Sequence, residues 1–390
     1  MTDENNNIAA DAKSAQRKGK RKFFLRLVVI IVVLAIIAWA LWYFLDGRWY
    51  QSTDDAYVGG NVVQVSPQVP GTVVSIGADN GDLVHAGQVL VKLDPSNTEV
   101  ALSAAEAGLA QAVRKVRGLY NNVAAAKAEV DARKVALDKA ESDYRRRRGL
   151  ARTGAIPAEV LAHARDALSA AQSGLIAAQQ SLHTTKALVG KTSVAQNPNV
   201  KAAEAKVRAA YLNNVRTTLV APVTGYVAKR SVQVGEEVRP GMALMAVVPL
   251  YQVWVDANFK ETQLTHMRIG QPVTLTSDIY GSGVTYHGKV ESLGIGTGSA
   301  FSLLPAQNAT GNWIKIVQRL PVRITLDKSE LAKHPLRIGL SMNATVNLHD
   351  QNGPMLSRKA PTQPLYTTDV YKKQLADANT LIEHIVENNM

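Results

Sequence analysis

The 390-residue chain contains no cysteine. This excludes disulfides, cysteine-ligated zinc or iron–sulfur centres, a thiol nucleophile and lipid attachment through an N-terminal cysteine, and it leaves the redox compartment open. The eight histidines are scattered, none three or four residues from another, so local spacing offers no metal site. Gly294-Ile295-Gly296-Thr297-Gly298 lacks the GxGxxG spacing and opens no helical pattern, which argues against a phosphate loop. Asp54 and Asp55 read as solvated rather than catalytic, and no set of nucleophile, base and acid stands out. The expectation is a protein that is not an enzyme, with no catalytic, cofactor-binding or metal-binding residue.

Long hydrophobic runs are equally scarce, with one exception. From Leu27 to Leu45 the chain has 19 residues without a charge, enough to cross a hydrocarbon core of roughly 30 Å as a helix. It exceeds the apolar run of a cleaved signal peptide, and no small-residue cleavage site closes it, so the expectation is an uncleaved single-pass anchor. Seven basic residues between Lys13 and Arg26 precede it, which the positive-inside rule reads as a cytoplasmic N-terminus. Trp39, Trp42, Tyr43, Trp49 and Tyr50 crowd the other end, as an interfacial aromatic belt does. With no second spanning segment, the chain is not expected to be a channel or pump itself.

What the sequence has in excess is positive charge, +12 in total. Residues 1–26 carry +4, residues 96–216 carry +9, and the remainder is close to neutral at −1. A basic chain invites a nucleic-acid reading. However, the basic segments have almost no aromatic residues to stack on bases, and one of them orients the anchor, so no nucleic-acid partner is expected.

The length predicts two or three units, and an internal repeat places one of them. Gly71, Val73, Gly81, Val84, Gly87, Leu90 and Pro95 recur 154 residues later as Gly225, Val227, Gly235, Val238, Gly241, Leu244 and Pro249. Each copy alternates apolar and polar residues between glycine turns, the pattern of short strands in a small sandwich. The copies resemble the two halves of a lipoyl or biotinyl carrier domain, with half 1 at 69–95 and half 2 at 217–249. The tight hairpin that would present a carrier's cofactor lysine is replaced by an insertion, and Lys92 lies in a strand-like run. A covalent cofactor is therefore not expected.

The insertion, 96–216, has a helical period. Leu102, Leu109, Val116, Val123, Val130, Leu137 and Tyr144 fall seven apart, with Ala105, Ala112, Leu119, Ala126 and Ala140 three residues after most of them. That is a coiled-coil seam, with Arg133 an exception whose stem must lie along the seam while its head reaches water. After a turn at Thr153–Pro157 the seam returns at Leu161, Leu168, Leu175, Leu182 and Val189, breaks near Gly190–Pro198 and resumes at Val200 after a four-residue stutter. The prediction is an antiparallel helical hairpin with its tip at about 149–158. Arg145, Arg146, Arg147, Arg148 and Arg152 make that tip cationic and suit it to an acidic partner.

Beyond Pro249, alternation predicts the strands of an antiparallel barrel over 250–349, and residues 46–68 read as a linker and the first barrel strand. Residues 294–312 form a long loop without periodicity containing Phe301, Leu303 and Leu304. Two readings stay open for it: contact with a transporter or neighbouring subunit, or folding back onto its own barrel. Residues 350–390 read as a linker and a short amphipathic helix marked by Tyr371, Leu375, Ala378, Ile382 and Ile385.

The fold class is thus mixed α and β, multidomain: an N-terminal transmembrane helix, a split lipoyl-like β-sandwich with an inserted α-helical hairpin, and an antiparallel β-barrel. This order, together with TDDAYVGGN at 53–61, VWVDANFKETQL at 253–264, GTGSAFSLLPAQNATGNWIKIVQRLPVR at 296–323 and PLRIGLSM at 335–342, resembles the EmrA-type periplasmic adaptors, or membrane fusion proteins. The resemblance implies a periplasmic link between an EmrB-like major-facilitator drug/proton antiporter of the inner membrane and a TolC-like outer-membrane channel. It implies a homo-oligomer, trimer or hexamer, in a Gram-negative inner membrane with most of the chain periplasmic. An adaptor of an ABC-type (type I) protein or peptide exporter is the alternative within the same architecture. Adaptors often meet the channel through an R-x3-L-x6-S pattern at the tip. Arg146 and Leu150 fit it, but the serine position is Pro157, which shifts the expectation to charge and apolar contact through Arg145, Arg146, Leu150 and Ile156.

Overall fold

The computed structural model describes residues 4–281, 283–298, 300–301, 315–357 and 360–390, with only the backbone described for 4–23 and 26. The chain opens with α1 (Glu4–Leu45), β1 (Tyr50–Gly59), β2 (Val63–Val65), β3 (Gly71–Ile76), β4 (Leu83–Val84) and β5 (Val89–Leu93). Next come α2 (Ser96–Arg152), α3 (Ala158–Val189), α4 (Pro198–Val215), β6 (Thr218–Val220), β7 (Gly225–Arg230), β8 (Glu237–Val238) and β9 (Met245–Val248). The last elements are β10 (Trp254–Lys260), β11 (Pro272–Ser277), β12 (Thr285–Leu293), β13 (Arg319–Leu326), α5 (Lys328–Lys333), β14 (Ser341–Asn347) and α6 (Lys372–Asn389). Two compact units result, Met1–Val62 with Val248–Leu365, and Val63–Val247 with Tyr366–Met390.

In the first unit, the stretch Leu27–Trp49 is long and apolar enough to cross a membrane, and none of it is buried. Six antiparallel strands then close a barrel in the order β1-β10-β13-β12-β11-β14. Inward-facing Val255, Ala257, Phe259, Leu275, Tyr286, Ile324 and Val346 fill it. Gly288 is obligatory there, because a Cβ would lie 2.3 Å from the Thr325 carbonyl oxygen on the paired strand. The Tyr286 hydroxyl donates to the His334 carbonyl at 3.0 Å, and burial pushes its pKa up to about 12. Strand β12 escapes a period-two reading because a bulge between Val290 and Ser292 shifts its alternation midway.

In the second unit, the two repeat copies build one sandwich of two four-stranded sheets, β2-β9-β7-β4 and β6-β5-β3-β8. Each sheet draws strands from both copies, and the 154-residue shift carries β3 onto β7 and β4 onto β8. The turn glycines match as well: Gly81 and Gly235 have φ of 89° and 87°, a region that glycine enters at little cost. Strand β2 lies ahead of the recognisable repeat yet pairs with β9, as β6 pairs with β5.

Between the copies, α2 pairs with α3 and then α4. The seam residues from Leu102 to Tyr144 are buried or half-buried at every heptad step, and so are Leu161 to Val189 on the return. Arg133 is the exposed exception. Its head meets Glu129 at 2.7 Å, and its Cδ lies 3.9 Å from where a Cβ would stand on Gly174, so glycine leaves room for the stem. At the break, Gly190 has φ +66°, and Asn197 caps α4 by accepting from the Asn199 amide at 3.0 Å.

Helix α6 is a third layer at the hairpin's root. Ile382 and Val386 join Leu109, Val113, Val116, Val200 and Val207 in one apolar cluster. The face it buries is Ala378, Ile382 and Val386, while Tyr371 and Leu375 at the head of the predicted stripe are exposed.

Candidate functional site

The tip is set by how α2 ends. The Leu150 carbonyl accepts from the Thr153 hydroxyl at 2.8 Å and from the Ala155 amide at 3.1 Å, while the Gly154 amide reaches the Ala151 carbonyl at 3.1 Å. Gly154 has φ +73°, the left-handed conformation that stops a helix with glycine. Pro157 then sits extended, at φ −60° and ψ 149°, as the N-cap of α3 with no side-chain cap. A serine there would accept from an amide of the first turn; proline cannot.

Over the last twelve residues of α2, from Glu141 to Arg152, the charges sort themselves. The Asp143 carboxylate receives Arg147 Nε at 2.9 Å and, on its other oxygen, the Arg146 guanidinium. Arg145 lies 3.8 Å from Glu141. The Arg146 hydrogen bond, with the charge of Arg147 behind it, holds the Asp143 carboxyl below its ordinary value despite some opposing desolvation. Arg148 and Arg152 are exposed with no acidic partner among the described residues. Leu150 is 44% exposed, and Ile156 is half-buried.

Arg145, Arg146 and Leu150 thus lie on the last turns of α2 and Ile156 in the turn that follows, with cations in excess over acids. Asp143 is the participant that the sequence reading missed. Its signal was legible: an acid three and four residues before arginines on a helix.

A second cluster forms at one rim of the barrel. The Thr53 hydroxyl donates to the Asn258 carbonyl at 2.9 Å. Asn258 Nδ2 donates to Asp55 at 3.1 Å, and Arg319 Nη1 pairs with the other Asp55 oxygen at 2.6 Å. Asp55 is thus a hub, not a free solvated acid. Phe301 lies over Gly296, where a Cβ would come within 2.6 Å of its ring; Leu303 and Leu304 lie outside the described residues. Among the described residues, no group of three or more histidines and acids could hold a metal ion.

An apolar anchor helix, a sandwich interrupted by a coiled hairpin and a six-stranded barrel define a membrane fusion, or adaptor, protein. The EMRA alpha-helical hairpin domain matches residues 96–217, and the AAEA-like beta-barrel domain matches 252–349. The chain is 47% identical over 374 residues, 96% of each chain, to the multidrug export protein EmrA of Escherichia coli (strain K12). It is 48% identical over 346 residues, 88% of each chain, to the fatty acid resistance protein FarA of Neisseria gonorrhoeae. The solved periplasmic adaptor protein EmrA is 21% identical, over 77% of this chain and 99% of that one, with a TM-score of 0.39. The chain belongs to the EmrA family of adaptor proteins.

Proposed function

We propose that the protein is the periplasmic adaptor of a tripartite multidrug efflux pump. Helix α1 holds it in the inner membrane with its N-terminus in the cytoplasm, beside an EmrB-like major-facilitator antiporter that supplies the energy. The hairpin tip meets a TolC-like outer-membrane channel through Arg145, Arg146, Leu150 and Ile156. One hairpin encloses nothing, so several copies, a trimer or a hexamer, assemble to enclose the path. The adaptor's part is mechanical, not catalytic.

The observation that carries this reading is the tip itself. An α2 of 57 residues, about 86 Å long at 1.5 Å per residue, ends in Arg148 and Arg152, exposed and without an acidic partner among the described residues, and in Leu150, 44% exposed. Relatives of nearly equal identity are named for multidrug export and for fatty acid resistance.

Deleting residues 145–156 tests the assignment. The expected outcome is loss of drug resistance with membrane insertion intact. Normal resistance in the deletion strain overturns the tip assignment.

A further inference from the structure

The barrel rim that carries Asp55 is also the rim at which the anchor enters. Helix α1 ends at Leu45, and only the four residues 46–49 separate it from the start of β1 at Tyr50. Trp49 is part of the barrel: it packs against the core, its ring lies 5.7 Å from that of His349, and its carbonyl accepts from the Leu348 amide at 2.8 Å.

Antiparallel pairing brings other chain ends to this rim. Tyr50 stands opposite Asn347 at the end of β14. Lys260 at the end of β10 stands opposite Arg319 at the start of β13, and Leu293 at the end of β12 opposite Val322. Side chains confirm the register: Gln263 reaches Gln51 and the Ser52 carbonyl, both at 3.2 Å, and the Glu261 amide donates to the Gln318 carbonyl at 2.9 Å. Both roots of the loop between β12 and β13 are thereby fixed to the end of the barrel from which the anchor leaves.

Those roots are apolar and open. Ile295 is 93% exposed, Phe301 74% and Ile316 66%, with Val317 beside them. Of the neighbouring charges, Arg319 pairs with Asp55 at 2.6 Å and Lys315 stands 4.0 Å from Glu261, while the exposed Arg48 and Lys260 have no acidic partner among the described residues. A chain that ties this rim to a spanning helix through only four residues leaves it at the depth of the headgroups.

We infer that Ile295, Phe301, Ile316 and Val317 insert into the headgroup and upper acyl layer of the bilayer that α1 crosses. The barrel thus sits on the membrane as well as being tied to it. The occupant is lipid, held by burial of these four apolar side chains. This inference rests on α1 spanning the membrane.

The absence of cysteine makes the test direct. Single variants Phe301→Cys and Ile316→Cys of the full chain, labelled with an environment-sensitive fluorophore, are placed in phosphatidylcholine nanodiscs without other proteins. Trp42→Cys, inside the span, and Val234→Cys, on an exposed sandwich turn, serve as references. Labels at 301 and 316 should be quenched by brominated phosphatidylcholine and show iodide quenching several-fold weaker than at 234, in low and high salt alike. Full iodide access at 301 and 316 would overturn the inference, and so would protection without brominated-lipid quenching, which marks a second copy or a protein partner. Loss of lipid quenching at Trp42→Cys would instead contradict the anchor.

Discussion

At its root the coiled hairpin is three helices thick, with α6 laid along α2 and α4 and seven apolar residues closed off from water. From Val116 outward to the turn it is two helices thick, and α2 buries no further side chain completely. The root is also bonded by polar groups between helices: Arg208 forks onto Asn379 at 3.0 and 2.9 Å, and Arg114 reaches Asn389 at 2.6 Å. At the tip, polar groups bond within one helix or face solvent. The contrast separates two tasks. The root spends its side chains on binding α6 to α2 and α4, and the tip leaves Arg148, Leu150 and Arg152 exposed.

The largest expected effect that sharpens this contrast is at the root. Leu109 is fully buried, so Leu109→Ala should lower the opening free energy of the surrounding amides by about 2–5 kcal/mol. Leu137, half-buried at an equivalent heptad position nearer the tip, should lose about half as much when changed to alanine. Hydrogen exchange on the full chain measures both, and equal losses would break the comparison. Next comes Asn379→Ala, which takes the acceptor from Arg208. It should cost about 1.5–3 kcal/mol, seen as faster exchange in α4 and α6 with α3 near the turn unchanged.

The smallest effect is at the tip and depends on pH. A carboxyl whose pKa is lowered on folding adds stability that is complete above its unfolded value, 3.8 for Asp143, and is lost as pH falls through the folded value. Helicity near the tip should therefore be flat from neutrality to about pH 4 and decline only below it. Asp143→Asn should remove that part of the decline in circular dichroism.

The seam and the sandwich were legible because both are repeats. A heptad and a 154-residue shift reinforce one pattern many times, and five of the seven matched pairs, from Gly71 and Gly225 to Gly87 and Gly241, fall on equivalent strands and turns. The tip was legible because charge and a Gly-Ala-Ile-Pro turn are local. What stayed hidden depends on distant partners. Asp55 bonds residues 203 and 264 positions away, and nothing in its neighbours signals that. The face of α6 is chosen by α2 and α4, so a stripe read from Tyr371 pointed partly to solvent. Strand β2 has three residues and no period of its own.

The central claim is that the tip, and not the shaft, is the docking surface. Site-specific crosslinking in intact cells tests it most directly, again on a background free of cysteine. Leu150→Cys, at the tip, is compared with Val135→Cys, exposed on the shaft. Adducts with an outer-membrane channel protein from position 150, and none with it from position 135, are the predicted result. Equal adducts from both positions, or none from 150 while drug resistance persists, would contradict it.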